Sequence, residues 1–444
     1  MAYCTWKSYK LNSSPSDIFA VFKNEPNCFF LDSSLNKDHS LGRYSFLGCN
    51  PFYTLSGTQK DVLPKLKREL KDLKISHPSS IPFLGGAAGY LSYPKSNAQD
   101  EDKIPEALFA FYNTVLIIDH LKDAVKVFTI GFPERNTFLQ KALCRANIGR
   151  MDKLLAKAPL KNAKYHTGVE IRDLKSNFSK HGYISVIKKA KKYIKAGDIY
   201  QVNLSQRFQA QCNLSGPEIY ARLRKASPSY FGSYFDAGDF QIISSSPERF
   251  LKVKGDKVIT RPMKGTRSRS IDGREDARLK EDLIQSAKDK AELMMIVDLE
   301  RNDLGRVCSY NSIKVETLRE VEEYSTVFQT TANISGKLFK GKDRIDLLSA
   351  CSPGGSVTGC PKIRAMQVIG ELERGERSIY TGSFGYLSFS GSMDMSILIR
   401  TILKKENKIY FGVGGGIVAD SDPQEEYAET LVKAKGIMRA LGAQ

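Results

Sequence analysis

Short apolar or aromatic runs broken by turn residues dominate the first third of the chain: NCFFLDSS, RYSFLGC, PFYTLSG and AVKVFTIGF each read as a strand. One lysine-rich stretch, VLPKLKRELKDLK, interrupts them with helical spacing. Between about 140 and 175 the pattern weakens into KALCRANIGRMDKLLAKAPLKNAKYHTG, a helix followed by a connector. That is the best candidate boundary, dividing a sheet-rich region, 1–150, from a second region, 175–440. Beyond it the spacing predicts a helix over 179–196, a strand over 199–210, one strand each in FQIISSSPERFLKV and KVITRPMKGT, and a long helix over 275–298 leading into RNDLGR. A further helix follows the turn in CSPGGSVTGCPKIRAMQVIGELERG, and strands in SFGYLSFSG and DMSILIRTILKKENKIYFGVGGGIVAD precede a final helix. Many strands with long helices and no βαβ rhythm give an α+β class. GVGGGIV lacks the G-x-G-x-x-G spacing ahead of a helix, so a nucleotide fold is not indicated.

Composition adds limits. Of 444 residues, 41% are hydrophobic and 26% charged, which excludes a disordered or fibrous chain. The start, MAYCTWKSYKLNSS, has no apolar core like that of a secretory signal, and runs such as FLGGAAGYL stop far short of a membrane span. The expectation is a cytoplasmic protein with no membrane partner. Eight cysteines are scattered without a CxxC pair, and the five histidines show no zinc-ligand spacing. The net charge of +18 raises nucleic-acid binding, with VIKKAKKYIKAG as its best location. That stretch reads equally as a helix with Ile187, Ala190 and Ile194 as its apolar stripe and lysines snorkelling at the edges, and this reading is preferred. Positive charge also concentrates a small dianionic substrate.

Carboxylates stand out on two helices. In DSDPQEEYAETLVKAKGIMRAL, Asp422 can cap, Pro423 suits the first helical position and Glu425 can complete a capping box. Glu426 and Glu429, three apart, then share one face. Asp289 and Glu292 in SAKDKAELMMIVDL form a second such pair. Brought together, the pairs would make an oxygen-rich Mg²⁺ site, although acidic residues three apart are common on solvated faces. Asp298, Arg301 and Asp303 could be an ion network closing a helix end.

The stretches GDIYQVNLSQRF, SSSPERF, RPMKGTRSR, KDKAELMMIVDLERNDLGRV, SPGGSVTGCPKIRAMQVIGELE, YTGSFGYLSFSG, MDMSILIRT and GVGGGIVADSDPQEEYAET resemble, in order, the motifs of the chorismate-utilising enzymes. That family contains the synthase components of anthranilate and aminodeoxychorismate synthases and the isochorismate and salicylate synthases. FLDSS, GRYSFLG, FLGGAAGYLSY and FYNTVLIIDH extend the resemblance to nearly the whole chain. It implies an anthranilate synthase component I-like fold: two large packed antiparallel sheets with outer helices, the two regions intertwined in one unit.

The resemblance also implies roles. Glu292 and Glu429 would bind Mg²⁺, with Asp289 and Glu426 assisting. Arg400 and the backbone of Gly414, Gly415 and Gly416 would hold the ring carboxylate of chorismate. Lys362 and Tyr380 would meet the enolpyruvyl side chain, and Thr358 would belong to the pocket. Lys264 matches the lysine that, in the aminodeoxychorismate group, attacks C2 and displaces the C4 hydroxyl before ammonia attacks C4; the anthranilate group has alanine there. A nucleophilic lysine must lose a proton, so its pocket should lower a pKa that starts near about 10.4. Glu248 matches the general acid for the departing hydroxyl and needs a raised pKa; its alternative is an ion pair with Arg249. Gln201 stands where the isochorismate and salicylate enzymes use a lysine to activate water, which disfavours water addition. Gln329 replaces a histidine of many relatives and cannot shuttle a proton. Ser33 and the run Arg43, Tyr44, Ser45 resemble an amino-acid pocket that binds tryptophan in some relatives. No GxCxG-like nucleophile loop is present in the sequence, so ammonia is expected from a separate glutamine amidotransferase partner.

Overall fold

The apolar runs Gly86–Leu91, Ala107–Tyr112 and Thr114–Asp119 are buried at every position, so they occupy sheet interiors covered on both faces rather than half-exposed strands. The computed structural model describes residues 2–10, 13–35, 38–77, 79–95, 102–158, 171–324 and 327–443. They form two antiparallel sheets. The 12-stranded sheet runs Cys4–Tyr9, Ala124–Ile130, Thr114–Asp119, Tyr44–Gly48, Phe29–Asp32, Phe231–Asp236, Phe240–Ser246, Thr401–Lys405, Lys408–Ile417, Gln201–Cys212, Gly359–Cys360, with Ile171–Ser176 also on Gln201–Cys212. The 10-stranded sheet runs Met263–Ser268, Val327–Lys337, Lys257–Arg261, Arg249–Lys254, Met393–Ile397, Ser383–Ser388, Gly86–Leu91, Ala107–Tyr112, Tyr53–Gly57, with Lys314–Glu323 on Val327–Lys337.

The two sheets pack through aromatic side chains. Phe46 meets Tyr386 at 5.6 Å and Phe235 meets Phe384 at 5.5 Å between ring centroids, and the largest apolar cluster draws on both inner faces. A second cluster seats the helices Pro15–Phe22, Thr137–Leu155, Gly216–Ala226 and Pro423–Ala440 on the outer face of the larger sheet. The expected α+β class and two-sheet architecture are thus observed. Strands from 1–150 and 175–440 pair within both sheets, most directly Phe29–Asp32 with Phe231–Asp236 and Gly86–Leu91 with Ser383–Ser388. The helix expected before the connector spans Thr137–Leu155, and residues 159–170 of that connector lie outside the described residues.

Several expected elements are divided. KVITRPMKGT is two strands because Pro262 has no N–H for the ladder, and FQIISSSPERFLKV breaks before Arg249. The helix expected over 275–298 is two, Gly273–Gln285 and Ala287–Gly305, separated by Ser286. Ser286 caps the second by accepting the Asp289 N–H, a local bond that competes with helix continuation. At the last helix Asp422 accepts from the N–H groups of Gln424 and Glu425, so Glu425 contributes its backbone rather than the expected return carboxylate.

Candidate active site

A cavity of about 680 Å³ opens where two helices meet strands of the two sheets. The helix Ala287–Gly305 supplies Asp289 and Glu292, and Pro423–Ala440 supplies Glu426 and Glu429. The strand Met263–Ser268 supplies Lys264, and Lys408–Ile417 supplies Gly414 and Gly416. Glu248, Gln329, Tyr380 and Arg400 complete this part of the lining. Eight lysine and arginine side chains face five carboxylates around it, a surplus that favours a small polyanion.

Lys264 is buried and donates to Glu292 Oε1 at 2.8 Å, and Gln201 Nε2 donates to the same oxygen at 2.7 Å. Burial lowers the lysine's pKa, but Glu292, Glu248 and Glu429 together outweigh it and leave the value above its ordinary one. The expectation of a lowered Lys264 pKa is therefore corrected. Glu292 is burial-raised and then pulled below its ordinary value chiefly by Lys264.

Glu248 is the opposite case. Burial pushes it up to about 7 against weaker stabilisation from the Ser356 hydroxyl, which donates to Oε1 at 2.6 Å, and from Lys264. A carboxyl near 7 is poised to deliver a proton at neutral pH. Its alternative partner is occupied elsewhere, since Arg249 forms a two-bond pair with Asp394 at 3.0 and 3.1 Å.

Arg400 has left-handed backbone, φ 51°, a strained conformation for a non-glycine residue. Its half-buried guanidinium donates to the neutral Gln329 Oε1 at 3.3 Å and lies over the Tyr324 ring, and desolvation lowers its pKa. Among the described residues no carboxylate pairs with it. A held guanidinium of this kind suits an incoming carboxylate.

The remaining carboxylates are compensated individually. Glu429 pairs with Lys433 at 2.7 Å, Asp289 accepts from Arg267 at 3.0 Å, and Glu426 accepts from Ser421 Oγ at 2.7 Å. Among the described residues no three acidic, histidine or cysteine side chains cluster closely enough to hold a metal alone. The hard oxygen set around one cavity fits Mg²⁺ as a site of one or two carboxylates finished by water and substrate oxygens. Gly416 makes room for the Gln201–Glu292 contact: a Cβ there would lie 2.2 Å from Gln201 Nε2 and 2.6 Å from Glu292 Oε1.

Four expected site residues lie outside the cavity lining. Lys362 forms an ion pair with Asp303 and donates to the carbonyls of Cys351 and Pro353. The Thr358 hydroxyl is spent on the carbonyls of Gly354 and Gly355. Gln201 reaches the site only through Glu292, and a Cβ on Gly415 would lie 3.2 Å from Glu426 Oε2. Asp303 pairs with Lys362 and Arg306, whereas Asp298 and Arg301 form an exposed pair. Lys433, Arg267 and Ser356 were not anticipated. Lys433 follows Glu429 by one helical turn, a spacing that could have revealed it.

A second cavity, about 290 Å³, is lined by Ser33, Arg43 and Tyr44 together with Tyr230 and Phe231. Ser45 is buried beside it, with its hydroxyl against Asp32 and His120, and Arg43 spends its charge on Asp119.

Fold and site together define a cavity with a surplus of basic side chains, set between two antiparallel sheets. The chain belongs to the chorismate binding enzyme family, whose model matches residues 27–439. It is 36% identical over 457 residues to anthranilate synthase component 1 of Aquifex aeolicus, covering 96% of this chain and 92% of that one. It is 33% identical over 426 residues to aminodeoxychorismate synthase component 1 of Bacillus subtilis, covering 90% and 89%. Among solved structures, anthranilate synthase component I from Streptococcus pneumoniae aligns with a TM-score of 0.79 at 33% identity, covering 89% of this chain and 92% of that one. The menaquinone-specific isochorismate synthase of Escherichia coli aligns at 0.78 with 19% identity, covering 99% and 95%, a likeness of fold. Among the described residues no helix is long and apolar enough to cross a membrane.

Proposed function

We propose that the protein aminates chorismate with ammonia, and that Lys264 directs the product to 4-amino-4-deoxychorismate. The observation that carries the substrate is Arg400, a half-buried guanidinium in the cavity with a neutral amide as its hydrogen-bond partner. It would take the ring carboxylate, assisted by the backbone at Gly414 and Gly416. Mg²⁺ would be held by Glu292 and Glu429, with Glu426 and Asp289 beside them, and when bound supplies a Lewis acid for substrate oxygens. Lys264 Nζ attacks C2 as the C4–O bond breaks, Glu248 gives its proton to the leaving hydroxyl, and ammonia then adds at C4 and expels the lysine. Lys264 is stored as the charged partner of Glu292, so it must shed a proton before it can attack. Ammonia would come from a separate glutamine amidotransferase subunit. Lys264 in the cavity lining and the neutral Gln201 support this reading over water addition.

A second reading, anthranilate synthase component 1, draws on the name carried by several relatives at 34–37% identity. The second cavity is a proposed amino-acid pocket with tryptophan as its candidate occupant. One experiment reads all three. Purified protein is incubated with chorismate, Mg²⁺ and ammonium, with and without tryptophan, beside Lys264→Ala, and products are separated by liquid chromatography with mass detection. Formation of 4-amino-4-deoxychorismate that disappears in the variant is expected. Anthranilate as the main product, made equally by Lys264→Ala, would transfer the protein to the second reading, and a rate indifferent to tryptophan would remove it as a regulator.

A further inference from the structure

The strand Gln201–Cys212 turns the side chains of Gln201 and Asn203 to the same face, and both are buried, with 1% and 9% of their surface exposed. Gln201 is held one way round. Its Nε2 donates to Glu292 Oε1, and a carboxylate paired with Lys264 can only accept, so the amide oxygen is the end left over. That oxygen, Oε1, has no hydrogen-bond partner among the described residues, and neither has Oδ1 of Asn203. Two buried acceptors left open on one strand face are rare in a folded chain without a ligand or water to donate to them.

Strand register sets Asn203 beside the Gln201–Glu292 contact. Asn203 lies directly opposite Gly416 on the strand Lys408–Ile417, so their Cα–Cβ directions share a face. In that direction from Gly416 lie the Gln201 amide and Glu292 Oε1, which a Cβ would meet at 2.2 and 2.6 Å. The Asn203 side chain stands next to this notch, and Asn203, Gly416, Glu292 and Lys264 all line the larger cavity. The Asn203 backbone is already committed: its N–H donates to the Thr358 carbonyl and its carbonyl accepts from Arg377. Its side chain is the part left to meet a ligand.

Open acceptors call for a ligand rich in donors. Every hydrogen of ammonia is a donor and its single lone pair is the nucleophile, whereas water uses half of its sites to accept. The Lys264 ammonium, on the same Glu292 oxygen as Gln201, disfavours a second cation here and selects the neutral molecule. We propose that Asn203, with Gln201 beside it, forms the seat of ammonia in the cavity: the amide oxygens accept its N–H groups and leave its lone pair free for the substrate. The seat rests on the amination reading above, and it serves either product, since both take their nitrogen from ammonia.

Initial rates of the full-length protein, measured against ammonium concentration at saturating chorismate and Mg²⁺, test this. Asn203→Leu keeps the length of the side chain and removes the acceptor, and Asn203→Ala removes it without bulk should the first variant fail to fold. Either is expected to raise the KM for ammonium about tenfold, as for the loss of one hydrogen bond, while the KM for chorismate moves by less than about twofold. A merely structural role would move both constants together. An unchanged KM for ammonium would overturn the seat, and so would a raised Mg²⁺ requirement in its place, which would make Asn203 a metal ligand. Absence of any aminated product from wild type would remove the amination reading itself, and the seat with it.

Discussion

At the scale of single residues, the cavity pairs most of its charges with one another and leaves Arg400 apart. Its planar fork can form two parallel bonds to a carboxylate, a geometry that a lysine ammonium cannot reproduce. Arg400→Lys is therefore expected to keep the charge and lose the fork, lowering kcat/KM for chorismate by roughly ten- to a hundredfold, on the scale of about 1.5–3 kcal/mol for a charged hydrogen bond. Steady-state kinetics of the variant, with an unchanged melting temperature, would establish it; wild-type kcat/KM would count against a binding role. A second expectation concerns pH. Glu300 holds its proton up to about 8, whereas an unfolded glutamate releases it near 4.5. Between those values the folded state binds more protons than the unfolded state, so this group's contribution to stability is present at acid pH and declines as pH rises towards 8. Melting curves from pH 5 to pH 8 should fall less for Glu300→Gln than for wild type. Parallel curves would mean that Glu300 titrates normally.

At the scale of elements, the glycine run of the strand Lys408–Ile417 separates packing from chemistry. A Cβ on Gly414 would meet the Leu204 carbonyl at 2.5 Å, so the neighbouring backbone must shift. A Cβ on Gly416 meets side-chain atoms instead, Gln201 Nε2 and Glu292 Oε1. Gly414→Ala is thus expected to lower stability by about 1–3 kcal/mol. Gly416→Ala should melt nearly as wild type while losing Mg²⁺-dependent turnover by displacing Glu292. Equal destabilisation of the two variants, measured by denaturant titration alongside activity, would contradict this division. The same strand shows what sequence could and could not reveal. Its apolar and glycine pattern announced a strand, and the i, i+3 carboxylates announced which helix faces mattered. Nothing along the chain announced that Gln201 would reach Glu292 from a strand 91 positions away, or that Lys362 would be consumed by Asp303. Ser286 was legible only as a polar residue inside a helical pattern; its role as a cap appears once Asp289 N–H is in reach.

At the scale of the whole molecule, the strand order decides what can fold alone. The connector near 140–175 looked like a boundary because local periodicity weakens there, and periodicity carries no information about which strands pair across hundreds of residues. Phe29–Asp32 is hydrogen-bonded on one side to Tyr44–Gly48 and on the other to Phe231–Asp236, and Gly86–Leu91 lies between Ala107–Tyr112 and Ser383–Ser388. Cutting the chain at the connector would therefore expose unpaired strand edges in both sheets and open an apolar cluster that contains Phe46, Phe109, Phe235 and Phe384. Fragments 1–158 and 171–444 are each expected to be insoluble when produced alone, because neither can close its own core. Produced together, they should recover a soluble complex with the chorismate-consuming activity of the intact chain, since every residue lining the larger cavity lies in the second fragment but the sheets that fix it need the first. A soluble 171–444 fragment with a cooperative thermal transition would show instead that the site-bearing half folds on its own, and that the shared sheets contribute stability without being required for the fold.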